Sequence, residues 1–364
     1  MKLVNPRLAA LSRRLDPIWW LLARLLVLPR GKSNQPPRSI LLVDLHLLGD
    51  IVMLVPLLRV LRRCQPQAHL GLVAGPWAQD LLRDTGLVDE YLPLQAFWVR
   101  RGPRLAGLRA VWQTIARCRT REWDWGIDVR GDVRNILILA LARAQRRIAY
   151  DFTGGAALLT DVVPDDGQLR HIIEHHRELV RYLGMEMLAQ EAIPILPRLN
   201  SPILPGGRQI GFHFGASMPL RRMPVGAAVA LITPYAALAD VRVVMIDTPD
   251  TEVLNSSVIA HLDEDSVARV QRWCGSLEEL MKLLCGLERF YAMDSGPAHI
   301  AAALGVNTTV FFGPNLPVAV RPFGAQVRIA EPADLYCRPC DHHNCVNARP
   351  QACLVEAVAT LRSL

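Results

Sequence analysis

From Ser39 onward, apolar residues along the chain alternate between two spacings. Short runs rich in β-branched residues are followed by longer stretches in which apolar positions recur every three or four residues. In the first half of the chain this pattern predicts strands at 40–45, 69–73, 91–94, 126–129 and 147–150, separated by helices near 51–63, 78–83, 105–119 and 135–143. Strands that alternate with helices predict a parallel sheet that is covered on both faces.

The alternation stops at a segment rich in proline and glycine and then restarts. Residues 192–207 contain four prolines and two adjacent glycines, which predicts a linker. Beyond it, strands are predicted at 209–214, 241–246, 290–293 and 308–312, with helices near 225–239, 277–285 and 298–304. The sequence therefore predicts an α/β protein with two Rossmann-like domains, at 38–191 and 208–335, between an N-terminal segment, 1–37, and a C-terminal segment, 336–364.

An apolar run near the N-terminus, residues 18–28, is about half the length that spans a bilayer, and Arg24 interrupts it. Basic residues flank the run on both sides, and two tryptophans stand together at 19–20. This pattern is typical of an amphipathic helix in the lipid headgroup layer, the alternative being a helix docked on the protein's own core. No export signal stands out, so we expect a cytoplasmic protein that is peripheral on the inner membrane face.

The charge balance favours anionic partners. Lysine and arginine number 41 against 34 acidic residues, which gives a net charge of +7 and a sequence pI near 9.2. Nucleotides, phosphorylated glycans and an acidic membrane surface all fit this balance. The chain shows no nucleic-acid-binding motif and no internal repeat, so nucleic acid is not an expected partner.

The loop after the first predicted strand ends in Gly49-Asp50, where the next helix begins. A carboxylate at this position can accept hydrogen bonds from the free N–H groups of the helix, so Asp50 is a candidate N-cap. The carboxyl edge of a parallel sheet is also where catalytic groups lie in such folds. The residues alone leave both interpretations open.

A second segment with candidate chemistry follows the strand that is predicted to end at Met293. Asp294 and a Ser295-Gly296-Pro297 turn precede an alanine-rich helix with His299 in its first turn. Glycine permits close approach to a ligand and proline suits the start of a helix. The free N–H groups and the helix dipole at this position predict a binding site for a diphosphate.

A third segment follows the first strand of the second domain. Ser217, Arg221 and Arg222 stand among small residues before the next predicted helix. A hydroxyl and paired arginines suit a phosphate group, and the alternative is that the arginines are solvated loop charges.

These segments together resemble the heptosyltransferases of glycosyltransferase family 9. Residues 48–52 with Pro56 are similar to the family's N-terminal motif, residues 124–130 to its mid-domain strand, and residues 294–305 with 312–314 to its donor loop. The resemblance runs from about Ile40 to the C-terminus and implies the GT-B architecture, in which two Rossmann-like domains face a cleft. It also implies inverting transfer of a sugar from a nucleotide donor, most often ADP-heptose, to lipopolysaccharide core, O-antigen or a related lipid-linked surface glycan.

The resemblance further implies roles for individual residues. It gives Asp50 as the general base, and it assigns the nucleotide phosphates to Asp294, Ser295, Gly296 and His299. Arg221 stands where the family usually has lysine, with Met223 where tryptophan is usual, and Asp44 stands where relatives often have a basic residue. No Asp-x-Asp motif lies near the donor loop, so helix dipole and cationic side chains are expected to replace a catalytic metal.

Three further residues are weaker candidates. Glu252 follows a predicted strand of the second domain and is a candidate for holding the donor ribose. Arg130 and Arg134 flank the end of the 126–129 strand, and we expect them to face an anionic acceptor.

Four cysteines cluster near the C-terminus, at Cys337, Cys340, Cys345 and Cys353. Such spacing in a reducing compartment is typical of tetrahedral thiolate sites for zinc or iron, although two disulfides or four idle thiols remain alternatives. Some family members that modify autotransporter adhesins hold iron in a similar four-cysteine finger. We therefore expect a structural metal and no cofactor for catalysis, and protein heptosylation and a catalytically silent binding subunit remain alternative functions.

Overall fold

The computed structural model describes residues 15–25, 35–99, 104–201, 207–249, 251–340 and 344–361. Its contacts divide the chain into two compact units, Met1–Ala192 and Ile193–Leu364. Each unit contains one six-stranded sheet in which all paired strands run parallel. The predicted α/β class is therefore confirmed.

The first unit begins with a short helix and continues in strand–helix alternation. In chain order the elements are α1 (Asp16–Leu25), β1 (Ser39–Asp44), α2 (Leu48–Cys64), β2 (His69–Ala74), α3 (Trp77–Leu82), β3 (Glu90–Pro93), α4 (Arg104–Cys118), β4 (Trp125–Asp128), α5 (Val133–Leu141), β5 (Arg146–Ala149), β6 (Asp161–Val162) and α6 (Ile172–Tyr182). The strand order is β3-β2-β1-β4-β5-β6. The order in which the chain adds strands to the sheet therefore reverses between β1 and β4, which themselves run parallel. The carboxyl ends of these two strands form the edge where ligands bind in open α/β sheets.

The second unit repeats this arrangement. Its elements are β7 (Arg208–His213), α7 (Val225–Ala236), β8 (Val241–Ile246), α8 (Glu252–Ile259), α9 (Glu264–Val267), β9 (Val270–Trp273), α10 (Leu277–Gly286), β10 (Arg289–Met293), α11 (Gly296–Ala303), β11 (Thr308–Phe311), α12 (Pro317–Val320), β12 (Val327–Ala330) and α13 (Ala352–Ala359). The strand order is β12-β11-β10-β7-β8-β9, so β7 and β10 hold the place that β1 and β4 hold in the first unit.

Apolar side chains explain why the central strands form where they do. Every residue of β1 and β4 is buried. The first core cluster combines apolar residues of β1, β2 and β3 with Trp123 and the inner faces of α4 and α5. Phe212, Tyr291 and Phe311 from adjacent strands pack together in the second core, which also receives Leu354 and Ala357 of α13. The C-terminal cysteine segment is thus anchored to the second unit.

Helix α1 covers part of the predicted amphipathic segment, and residues 26–28 lie outside the described residues. Ala23 is buried and Trp19 packs beside it on a small cluster with α5, whereas Ile18, Trp20 and Leu21 are each about half exposed. The helix is therefore docked on the protein and still presents an apolar face to solvent. Within the described residues, no helix has both the length and the apolar character needed to cross a membrane.

Candidate functional site

Asp50 lies in the first turn of α2, at the carboxyl edge of the first sheet. Its Oδ2 accepts a hydrogen bond from the Leu47 backbone N–H (3.0 Å), and its Oδ1 accepts one from Nη1 of Arg130 (3.0 Å). The N-cap position belongs to Leu47, so the N-cap interpretation of Asp50 is wrong. Asp50 stands three residues later and bonds back to the cap residue, as the acidic member of a capping box does.

Both predicted acceptor arginines form ion pairs. Arg130 is nearly buried beside Asp50, which brings a positive charge against the candidate base. Arg134 donates two hydrogen bonds from its guanidinium to Asp132 and lies over the Trp98 ring, 5.4 Å from the centroid. The structure therefore places Arg130 with Asp50 and holds Arg134 on a separate carboxylate.

Sequence reasoning did not assign a role to the two carboxylates that end β1 and β4. Asp128 is fully buried and accepts hydrogen bonds from the backbone N–H of Asp132 (2.9 Å) and from Nδ2 of Asn135 (2.9 Å), and burial raises its pKa to about 7. Asp44 is also fully buried. Burial acts to raise its pKa, but hydrogen bonding to His46 and the charges of His46 and Arg130 outweigh that effect and leave it below its ordinary value.

Histidines surround the Asp44 carboxylate. Nδ1 of His46 lies 3.4 Å from Oδ1 of Asp44, and the His46 side chain is about a quarter exposed. His176 on α6 is fully buried near Asp44, and burial lowers its pKa to about 4, so its ring is neutral at physiological pH. The carboxyl edge of the first sheet therefore combines acids, histidines and Arg130 in a form suited to proton transfer.

In the second unit the donor loop lies where β10 meets α11. Ser295 is the N-cap of α11, but its side chain makes no capping hydrogen bond to that helix. Its hydroxyl instead donates to the Met293 carbonyl (3.0 Å) and lies 3.2 Å from Nδ1 of His213. Nδ2 of Asn315 donates to the Asp294 carboxylate. The amino end of α11 therefore keeps the backbone donor character that favours an anion.

His213 and Gly215 form the neighbouring wall of this site. His213 ends β7, is buried, and has its pKa lowered to about 4 by burial, so it contributes a neutral ring. A Cβ on Gly215 would lie 2.5 Å from Cγ2 of Thr251 and 2.9 Å from Nε2 of His213. Only glycine fits at this position, which keeps the backbone close to the carboxyl end of β7.

Arg221 stands at the end of a short 3-10 turn, Pro219–Arg221. Burial lowers the pKa of its guanidinium, and the opposite charge of Asp294 acts against that change. Nε of Arg221 is buried and has no hydrogen-bond partner among the described residues. A buried cationic donor that lacks a partner is costly unless a ligand supplies one, and it lies within electrostatic range of the donor loop.

The structure separates the remaining predicted donor residues. Gly296 and His299 lie in the first turns of α11, where His299 is largely buried. Ser217 is exposed on the loop before the Arg221 turn, and Glu252 is exposed at the start of α8. Sequence reasoning missed Asp247, which directly follows β8 and accepts hydrogen bonds from Nδ2 of Asn255 (2.7 Å) and Nε of Arg272 (2.6 Å). Its place after a buried strand was the available signal.

The four C-terminal cysteines line one small cavity of about 20 Å³, together with Leu220, Pro314 and Gln351. All four are free thiols. Sulfur atoms of two of them accept hydrogen bonds, Cys337 from Nδ2 of Asn347 (3.5 Å) and Cys345 from the Gln351 backbone N–H (3.3 Å). Burial, followed by the charges of Cys337 and Cys345, raises the pKa of Cys353. In the described part of the chain, no three histidine, cysteine or acidic side chains have the arrangement of a metal site.

Comparisons with known proteins show a family match and a shared fold. The sequence model of glycosyltransferase family 9 (heptosyltransferase) matches residues 241–349, which include the predicted donor loop and three of the four C-terminal cysteines. Over 319 residues the chain is 25% identical to lipopolysaccharide heptosyltransferase 2 of Escherichia coli (strain K12), an alignment that covers 80% of this chain and 87% of that protein.

Solved structures show the same fold. E. coli ADP-heptose lps heptosyltransferase II has a TM-score of 0.69 at 20% identity, covering 89% of this chain and 98% of that chain. E. coli heptosyltransferase WaaC with ADP has a TM-score of 0.69 at 17% identity and the same coverage. The iron-containing dodecameric glycosyltransferase TibC from enterotoxigenic E. coli has a TM-score of 0.52 at 15% identity, covering 90% of this chain and 77% of that chain.

Two Rossmann-like units of the GT-B kind are the fold that these structures share with this chain. The match to the family 9 model and the similarity to lipopolysaccharide heptosyltransferases support a heptosyltransferase-like glycosyltransferase, as the sequence predicted.

Proposed function

We propose that this chain transfers heptose from ADP-heptose to an anionic, lipid-linked surface glycan such as lipopolysaccharide core. The observation that carries the donor half of this proposal is Arg221. Its buried Nε has no hydrogen-bond partner among the described residues, it interacts with the charge of Asp294, and the Ser295 side chain leaves the amino end of α11 without a capping hydrogen bond. A diphosphate supplies the acceptor oxygens that these donors require. The relatives named for ADP-heptose or solved with ADP support adenine as the base.

Two groups of residues divide the chemistry in this proposal. The bond between the anomeric carbon and the diphosphate oxygen breaks, and Arg221, His299 and the Gly296 N–H stabilise the negative charge on the departing nucleoside diphosphate. The acceptor hydroxyl forms the new bond and gives its proton to Asp50, which Arg130 holds in place. A single displacement inverts the anomeric centre. Arg134 and Ser217 are assigned to the acceptor and the donor phosphates respectively, and Glu252 to the ribose.

Nucleotide binding gives a direct test. ADP and ADP-heptose are expected to raise the thermal midpoint of the full chain, because a ligand that binds only the folded state stabilises it by about 2.7 kcal/mol at a hundredfold excess over Kd. Arg221→Ala should lose most of this shift, whereas Arg328→Ala, an exposed arginine on β12, should retain it. A shift with UDP- or GDP-sugars and none with ADP would contradict the assigned donor.

A second candidate acceptor is a protein, and the cysteine cavity is the observation that favours it. The structurally similar TibC contains iron.

We assign the cavity between Cys337, Cys340, Cys345 and Cys353 to one structural zinc or iron ion, because four thiolates are a donor set that both metals accept. Elemental analysis should find about one ion per chain, lost in Cys337→Ser/Cys345→Ser and kept in Cys274→Ser. Metal-free protein with four freely titrating thiols would refute the site.

Contact with the inner membrane face is supported by two exposed apolar surfaces of the first unit. One is the outer face of α1, described above. The other is on α4, where Leu105, Leu108 and Trp112 are exposed and fall within about 60° of one another around the helix axis. Residues 104–121 contain five arginines and no acidic residue. Apolar side chains flanked by arginine suit an anionic headgroup layer.

Vesicle flotation separates the two surfaces. Trp20→Ala/Leu21→Ala and Leu105→Ala/Trp112→Ala are each expected to reduce binding to phosphatidylglycerol-containing vesicles, and Val253→Ala, an exposed residue of the second unit, is the control. If both double variants float like the unaltered chain, the membrane assignment fails. An altered sedimentation coefficient with unchanged flotation would instead indicate contact with a second copy.

A further inference from the structure

Gln351 links the cysteine cavity to the turn that carries Arg221. Its side-chain Nε2 donates hydrogen bonds to the carbonyl oxygens of Leu220 (3.3 Å) and Arg222 (3.0 Å), which are 131 and 129 residues away along the chain. These two carbonyls belong to the residues on either side of Arg221. One amide group therefore holds the backbone on both sides of Arg221, whose Nε is buried.

The backbone of Gln351 shows that this position is held by its surroundings. Its φ is +54°, in the left-handed region that side-chain-bearing residues other than asparagine and aspartate seldom occupy. Its N–H donates to the sulfur of Cys345 (3.3 Å), and Gln351 lines the same cavity as the four cysteines and Leu220. A conformation disfavoured locally persists only where several contacts fix it, and such residues cluster at functional sites.

The Arg221 turn needs an external support of this kind. Within it, Arg221 N–H bonds to the Met218 carbonyl (2.9 Å) and Arg222 N–H to the Pro219 carbonyl (3.0 Å), as in any single turn of 3-10 helix. A turn of three residues has little intrinsic stability. The direction in which Arg221 points is consequently set by whatever holds the carbonyls that the turn leaves free.

We infer that Gln351 is a positioning residue for Arg221, and that through Gln351 the cysteine segment sets the affinity of this protein for a nucleoside diphosphate. The inference rests on the proposed assignment of Arg221 to the donor diphosphate. It gives the cysteine segment a role in substrate binding without any contact between its sulfur atoms and the substrate.

A double-mutant cycle with ADP as the probe tests this inference. Gln351→Gly accepts the left-handed backbone, keeps the N–H bond to Cys345 and removes both side-chain hydrogen bonds. By isothermal titration it should raise the Kd for ADP about three- to tenfold, the effect of losing one or two hydrogen bonds. In an Arg221→Ala background the same change should alter Kd by less than about twofold, because nothing remains to be positioned. Gln326→Ala, an exposed glutamine of the same unit, is the control.

The outcomes separate the inference from the proposed function. Equal loss of affinity from Gln351→Gly in both backgrounds would overturn the positioning role. If Arg221→Ala alone leaves ADP affinity unchanged while the protein stays folded, the assignment of Arg221 fails first. Should Gln351→Gly not fold, Gln351→Asn repeats the cycle, since its shorter amide tolerates the backbone and cannot reach both carbonyls.

The cysteine part of the inference has its own arm. Cys345→Ala removes the sulfur that accepts from Gln351 N–H, so it should weaken ADP binding in the same direction and add little when Arg221 is already alanine. Cys274→Ala, an exposed cysteine outside the cavity, should leave Kd unchanged. A Cys345 effect that persists at full size without Arg221 would contradict this route.

Discussion

The two units share one strand order and differ in the chemistry at the carboxyl edges of their sheets. In the first unit the ends of β1 and β4 carry Asp44 and Asp128, both fully buried, with Asp50 paired to Arg130 just beyond. In the second unit the corresponding strands, β7 and β10, end in His213 and in Met293 before Asp294 and Ser295. The proposed function assigns proton transfer to the first edge and anion binding to the second.

The shared topology therefore determines where side chains meet at the edge of each sheet, and the chemistry of those side chains determines the function of the edge. Burial shifts the pKa of an acid and of a histidine in opposite directions because it always disfavours the charged form. It raises the pKa of Asp128 to about 7 and lowers that of His213 to about 4. The second site also contains the opposite charges of Arg221 and Asp294, which interact.

The largest expected effect comes from removing the Asp50 carboxylate, which lies beside the first edge. Asp50→Asn keeps an oxygen that can accept from Leu47 N–H but cannot take a proton, so turnover should fall by roughly a hundredfold to ten-thousandfold. Affinity for ADP, measured by isothermal titration, should stay nearly unchanged. Asp84→Asn, an exposed acid of the same unit, is the control. Near-normal turnover, or loss of the folded state, would make Asp50 a structural residue only.

The next largest expected effect is on the pH dependence of the free energy of unfolding, to which Asp128 of the first edge and His213 of the second contribute with opposite sign. The folded-state pKa of Asp128 lies above its unfolded value, so its stabilising contribution is present below about pH 4 and is lost as pH rises through about 7. That contribution is of the order of 4 kcal/mol, at 1.36 kcal/mol per pKa unit. The folded-state pKa of His213 is depressed, so its contribution is present above about pH 6.5 and is lost as pH falls towards 4.

Urea denaturation of matched variants measures both signs. The free energy of unfolding of the unaltered chain minus that of Asp128→Asn should fall as pH rises from 5 to 7.5. The corresponding difference for His213→Gln should rise over the same range. Because each comparison subtracts the unaltered chain, the opposing contribution of His176 in the first unit cancels. Parallel pH profiles for the two variants would show that burial does not set these edges apart.

The smallest expected effect concerns the anion site. Arg221→Ala should raise the Kd for ADP roughly tenfold to hundredfold, the loss of a charge-assisted hydrogen bond worth about 1.5–3 kcal/mol. His299→Ala should weaken ADP binding less than Arg221→Ala does. Neither change should alter the pH dependence of the catalytic step, which is assigned to Asp50. A shifted pH–rate profile in Arg221→Ala would mean that the second edge also takes part in proton transfer. That result would contradict the assignment of proton transfer to the first edge alone.

The sequence predicted the fold well where strands are buried on both faces. All nine predicted strands are present, and the central strands among them are buried, as continuous apolar runs favour. The edge strands β6, β9 and β12 were missed. β9 and β12 are only partly buried, and β6 has two residues, so their side chains carry little apolar pattern. Helix α6 was missed for a related reason, since paired histidines and charged residues interrupt its apolar stripe.

The candidate site divides in the same way. From the sequence, Asp50, the Asp294–His299 loop, Arg221 and the four cysteines could be proposed as candidates, because each follows a strand or forms a local cluster. Only the tertiary structure joined Arg130 to Asp50 across 80 residues, and Gln351 to the Arg221 turn across about 130. Strand ends are set by local apolar pattern, which a sequence displays. Hydrogen bonds between distant segments depend on how the sheets and helices pack, and that packing carries no local signature.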